Sequence, residues 1–153
     1  MGKPTFQIGD QTFQHIGDLE YFDGTLIALF REQASGVLYV LHWVDVTEAF
    51  HRWVFFPVSA RAMKLYLEGK LSNEDLFLLG SPETVWLIEL NGDLQIGSVR
   101  NVPVVELPLT YRPTAEGFFD KPNCPDLADI QAVLETYPTE RLRAKDAALL
   151  PTS

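Results

Sequence analysis

Between Thr25 and Val58 the chain carries three apolar runs joined by two short turn-like segments, the densest β signal in its 153 residues. Thr25–Glu32, Val37–Asp45 and His51–Val58 read as strands. Gln33-Ala34-Ser35-Gly36 and Val46-Thr47-Glu48-Ala49-Phe50 join them, and both lengths suit antiparallel connections. The middle run is apolar on both alternating faces, with Val37, Tyr39, Leu41 and Trp43 on one and Leu38, Val40 and Val44 on the other. Such a strand belongs at the centre of a sheet, covered on both sides. A symmetric second turn sets Trp43 opposite Trp53 and Asp45 opposite His51, so the two indoles are expected as largely buried neighbours on one face.

Ser59 is a good N-cap for a helix whose stripe is Met63, Tyr66, Leu67 and Leu71, with Gly69 near its end. Ser72-Asn73-Glu74-Asp75 resembles a capping box opening a second short helix through Leu79. Thr84–Leu90 and Leu94–Val102 flank Asn91-Gly92-Asp93, a strong hairpin signal that adds two strands. Five prolines between Pro103 and Pro125 exclude a long helix there, and Asp126–Tyr137 has the stripe of a final one. The fold expected is α+β: a five-stranded, mostly antiparallel sheet in the order β-β-β-α-α-β-β, with helices packed on it and a proline-rich C-terminal wrap plus helix. Residues 1–137 form one domain in this reading. Its first 18 residues, near-duplicated as Thr5-Phe6-Gln7-Ile8-Gly9-Asp10 and Thr12-Phe13-Gln14-His15-Ile16-Gly17-Asp18, form a weak hairpin or an extended arm. Residues 138–153 are a tail or short helix.

Composition excludes several function classes. Twenty-one acids against twelve bases give a formal charge of -9, which argues against nucleic-acid binding because Lys and Arg neutralising phosphates supply most of that affinity. No apolar run approaches the ~20 residues that span a bilayer. The start, Met1-Gly2-Lys3-Pro4-Thr5-Phe6, lacks the apolar stretch of a secretory signal. Cys124 is the single cysteine, which suits a reducing compartment and reads as a loop thiol between Asn123 and Pro125. A cytoplasmic location is expected.

Tyr21-Phe22-Asp23-Gly24, Leu26-Ile27-Ala28-Leu29-Phe30, Leu38-Tyr39 with Trp43, Arg52-Trp53 and Val58-Ser59 ahead of a helix together resemble a small group of bacterial proteins classed as a domain of unknown function, over about residues 19–120. Thr25 stands where that group often has proline after Asp-Gly. The resemblance implies a bacterial, cytosolic, single-domain protein and transfers no activity.

Residue types that carry chemistry gather at the second hairpin turn, where Asp45, Glu48, His51 and Arg52 lie close in sequence. A histidine facing a carboxylate can be held in one tautomer and act as a base. Opposite charges at a solvated turn also arise simply as cross-strand pairs. Asp23 joins this end of the sheet, because the first strand begins after it and the second ends at Asp45. The leading expectation is a non-enzymatic, acidic protein-binding module, immunity-like or antitoxin-like, that meets a basic protein partner through a rim of Asp23, Asp45, Glu48, His51 and Arg52. The alternative is a small hydrolase or ligand-binding enzyme using Asp45, Glu48 and His51. No cofactor is expected, nor zinc, since three scattered histidines and one cysteine fall short of its ligand set. His42, among valines and leucines, reads as a buried, hydrogen-bonded imidazole.

Overall fold

The computed structural model describes residues 4–46, 49–80, 83–91 and 94–138. Seven strands, β1 (Thr5–Ile8), β2 (Gln11–Tyr21), β3 (Thr25–Glu32), β4 (Leu38–Val46), β5 (His51–Val58), β6 (Thr84–Leu90) and β7 (Ile96–Pro103), form one sheet. Their spatial order is their chain order and every neighbouring pair is antiparallel. Helices α1 (Ala60–Leu67) and α2 (Asn73–Gly80) lie between β5 and β6, and α3 (Leu127–Leu134) is the last described element. The sheet is therefore not five-stranded. Segment 5–21 supplies β1 and β2, joined by a two-residue turn in which Gly9 takes φ 59°, the positive φ needed at the first central position of a type II′ hairpin. Bulges between His15 and Gly17 and between Asp18 and Glu20 break the alternation of β2. Its apolar residues thus miss the period-2 pattern that marks a strand in sequence.

The sheet is nearly barrel-shaped. In a flat sheet four strand spacings would separate β2 from β6 by ~19 Å, yet the rings of Phe13 and Trp86 lie 5.7 Å apart. Phe6 on β1 likewise reaches Phe55 on β5 at 5.3 Å. The concave side holds an aromatic layer of Phe6, Phe13, Phe30, Tyr39, Phe55 and Trp86. The convex side packs Leu29, Val40, Val54 and Phe56 against helix residues Met63, Tyr66, Phe77 and Ile130. β4 is central and covered on both faces, and Trp43 pairs with Trp53 as the alternation predicts. Trp53 is buried and Trp43 partly so.

Local chemistry sets the helix ends. Ala62 N–H donates to Ser59 Oγ at 3.0 Å, and Gly69 takes φ 78° just past α1. Ser72 and Asp75 cap each other, with Ser72 N–H donating to Asp75 Oδ2 and Asp75 N–H to Ser72 Oγ. At the end of α2, Gly80 lets the helix seat on β5: an added Cβ would stand 1.8 Å from the Pro57 carbonyl oxygen. Since that obstacle is backbone, Gly80→Ala should displace α2 and cost about 1–3 kcal/mol. A thermal melt unchanged from wild type would show that α2 is not seated there. Past β7 the proline-rich segment crosses the convex face through three single-turn 3-10 helices, at Val104–Glu106, Leu109–Tyr111 and Lys121–Asn123. Residues 139–153, including most of the expected tail, lie outside the described residues.

Candidate functional site

The second hairpin separates the residues that sequence groups together. A register shift between Trp43 and Asp45 makes Val44 an extra residue, so Asp45 pairs with Arg52 and Val46 with His51. The expected pairing of Asp45 with His51 is thereby corrected. Arg52 and His51 are successive strand residues and point to opposite faces, and each takes its own partners with it.

On the convex face Arg52 organises an ion cluster. Its Nη1 donates to Asp45 Oδ2 at 3.0 Å and to the Tyr111 hydroxyl oxygen at 3.1 Å, and its Nε donates to Glu89 Oε2 at 3.2 Å. Tyr111 Oη–H donates to Asp45 Oδ2 at 2.8 Å, and Ser98 Oγ–H to Glu89 Oε1 at 2.7 Å. The Tyr111 hydroxyl, then the Val46 amide, hold the Asp45 carboxyl below its usual range. The cluster borders a groove of about 590 Å³ that carries both signs, Arg52 and Arg100 beside Glu89 and Glu106. Asp45 and Arg52 are thus engaged with each other, and they pin the C-terminal wrap to the sheet through Tyr111.

On the concave face Trp43 Nε1–H donates to His51 Nδ1 at 2.9 Å. His51 stands at the mouth of a cavity of about 440 Å³ at the end of the barrel opposite the aromatic layer. Ala28, Phe30, Leu41, Trp53 and Leu90 give it an apolar interior; His15, Asp18, Asp23 and Asn91 give it polar walls. The aromatic rings fill one end of the curled sheet, and the shorter side chains Ala28 and Leu41 leave the other end open. Asp23, at φ 56° in the β2–β3 turn, is the rim carboxylate that faces this cavity. Glu48 lies outside the described residues.

Sequence reasoning does not find the pair that lines the wall. His15 Nε2 and Asp18 Oδ1 are 2.9 Å apart, brought to one side by the bulges in β2. Asp126, just ahead of α3, accepts the Asp18 N–H at 2.8 Å instead of capping its own helix. Gly17 permits this approach, since a Cβ there would lie 2.7 Å from the Asp126 Cβ. Donor atoms of His15, Asp18 and Asp126 all fall within 4.8 Å of one another. Only the i, i+3 spacing of His15 and Asp18 is visible locally; their meeting with a residue 108 positions away is not. Cys124, in the same docked segment, is buried with its Sγ–H on the Asp18 carbonyl at 3.4 Å, and burial raises its thiol pKa. It lies in a loop, as expected, and is a packed, inert thiol there.

His42 points to the convex side, with Nδ1 3.1 Å from the Trp43 carbonyl oxygen. No described helix is long and apolar enough to cross a membrane. No family model, curated protein or solved structure matches the chain, which is consistent with its resemblance to a domain of unknown function.

Proposed function

We propose that the protein is a non-enzymatic, acidic binding module of the bacterial cytosol that engages a basic protein partner, in the manner of an immunity protein or antitoxin, through the turn-bearing end of its sheet. The observation that carries this reading is the company Asp23 keeps. Phe22, beside it at the tip of the β2–β3 turn, is 73% exposed, and Tyr21 and Val46 at the same sheet end are 48% and 52% exposed. Exposed aromatics within a polar rim serve as anchors in protein interfaces, and the surrounding acids steer a cationic surface toward them. The chain's net charge of -9 has the matching sign. The hydrolase alternative needs Asp45 and His51 to act on one another, and they occupy opposite faces.

Two sets of variants test the proposal on a partner obtained by pull-down. Asp23→Lys with Glu48→Lys should slow association about tenfold at low salt and flatten its dependence on ionic strength. Phe22→Ala should leave association nearly unchanged and speed dissociation, because an anchor acts mainly on the bound state. Unchanged rates and salt dependence in both sets would remove this end of the sheet from the interface.

A further inference from the structure

We infer that the cavity between the convex face of the sheet and the proline-rich wrap binds a small linear amino acid as its zwitterion, with the ammonium between Glu20 and His42 and the carboxylate at Arg112. Register places the first two groups. Glu20 pairs with Ile27, and Ile27 with His42, so the three side chains form one row on the convex face, with the outer Cα atoms about 10 Å apart. Buried Ile27 is the floor, and the longer side chains of Glu20 and His42 line the cavity on either side of it. Arg112 comes from the wrap, and Leu26, Val44 and Pro113 supply apolar wall for a short methylene chain. A volume of about 370 Å³ is within the range of small-molecule sites.

His42 turns an open acceptor to this space. Its Nδ1 faces the Trp43 carbonyl oxygen at 3.1 Å and so carries the proton of the neutral ring, which leaves the lone pair on Nε2. Nε2 has no hydrogen-bond partner among the described residues. The side-chain nitrogens and oxygens there that are both unbonded and sealed from solvent are Trp53 Nε1 and Arg112 Nε alone. The unbonded Nε2 is therefore reachable from the cavity that His42 lines. Arg112 Nη1 is open by the same test, since Nη2 is the atom that donates to the Val104 carbonyl. An unbonded imidazole nitrogen calls for a donor, and a guanidinium without a carboxylate partner calls for an anion. Burial, then the charge of Asp120, raise the Glu20 carboxyl pKa with no cation offsetting them, and an ammonium there would offset them. Arg112 is not among the charges acting on Glu20, so the two lie apart, and a ligand that bridges them needs its own charges apart. A lone cation leaves Arg112 unmatched and a lone anion is opposed by Glu20, whereas a zwitterion matches both. This inference is independent of the partner reading, since it concerns a cavity under the wrap and not the exposed turn tips.

4-Aminobutanoate serves as the probe, titrated into the full chain labelled with 15N. Saturable binding should move the His42 Nε2 resonance upfield, with that resonance identified by its loss in His42→Asn. Butyrate, which lacks the amine, butylamine, which lacks the carboxylate, and glycine, whose charges are too close together, should each bind about tenfold or more weaker. Glu20→Gln should weaken 4-aminobutanoate and butylamine but not butyrate, and Arg112→Gln should weaken 4-aminobutanoate and butyrate but not butylamine. The ligand series is read on the wild-type protein and decides the matter even where Arg112→Gln does not fold. No saturation by about 10 mM, any of the three control ligands binding as tightly as the probe, or an unmoved His42 resonance in the wild-type protein would overturn the assignment.

Discussion

Phe13→Ala is expected to cost about 3–5 kcal/mol, enough to remove most of the stability of an ordinary domain. Phe13 is fully buried and its ring meets Phe6, Tyr39, Phe55 and Trp86 at 5.0–5.7 Å. Three of those four contacts are edge-to-face, the arrangement that adds to area burial in aromatic pairs. The void left by truncation is walled by rings on β1, β4, β5 and β6, anchored on four separate strands and unable to collapse together. Urea unfolding at constant m-value reads the loss. A cost below about 1 kcal/mol would mean that the N-terminal hairpin is peripheral and that the barrel closes without it.

That test falls on the segment whose sequence says least. From Thr25 to Val58 apolar alternation is regular, and three strands, their order and the Trp43–Trp53 pair are all legible. Ser59 and the Ser72–Asp75 box mark two helix starts through local hydrogen bonds that need no tertiary partner. β2 is different. Its bulges put Phe13 on the concave face and Ile16 and Leu19 on the convex one, out of step with simple alternation. A single displaced residue has the same effect at Val44, where it exchanges the partners of Asp45. Bulges invert which face a residue serves without changing composition, and so the site residues moved while the strands stayed.

The candidate site was legible in proportion to how local it is. Asp23 is visible as part of an Asp-Gly turn. The carboxylate and imidazole of the wall, Asp18 and His15, acquire meaning only when the sheet curls and the segment before α3 docks at Gly17. The three histidines are scattered along the chain, and their spacing gives no sign that His15 joins two aspartates in space.

Lowering the pH from 7 to 5 should destabilise the protein through His42, and the effect should vanish in His42→Asn. The His42 ring lies on the convex side between β3 and β5, where burial pushes its pKa from 6.5 down to about 4 despite the bond to the Trp43 carbonyl. An unfolded chain takes up this proton near pH 6.5, while the folded one resists it until about pH 4. Between those values the unfolded state holds more protons, so stability falls as pH is lowered. The loss is absent above about 6.5, reaches about 2 kcal/mol by pH 5 and is at most about 3 kcal/mol below 4, with contact to solvent in the bordering cavity reducing it. Glu20 borders the same cavity, and burial, then the charge of Asp120, raise its carboxyl pKa, so its contribution runs the other way and strengthens the fold on acidification. Asparagine at position 42 can still donate to the Trp43 carbonyl but does not titrate. Its stability should therefore stay flat or rise slightly from pH 7 to 5 while the wild type declines. Parallel denaturation profiles, or a His42 ring resonance titrating near 6.5 in the folded protein, would show that the imidazole is solvated and that β4 tolerates its charge.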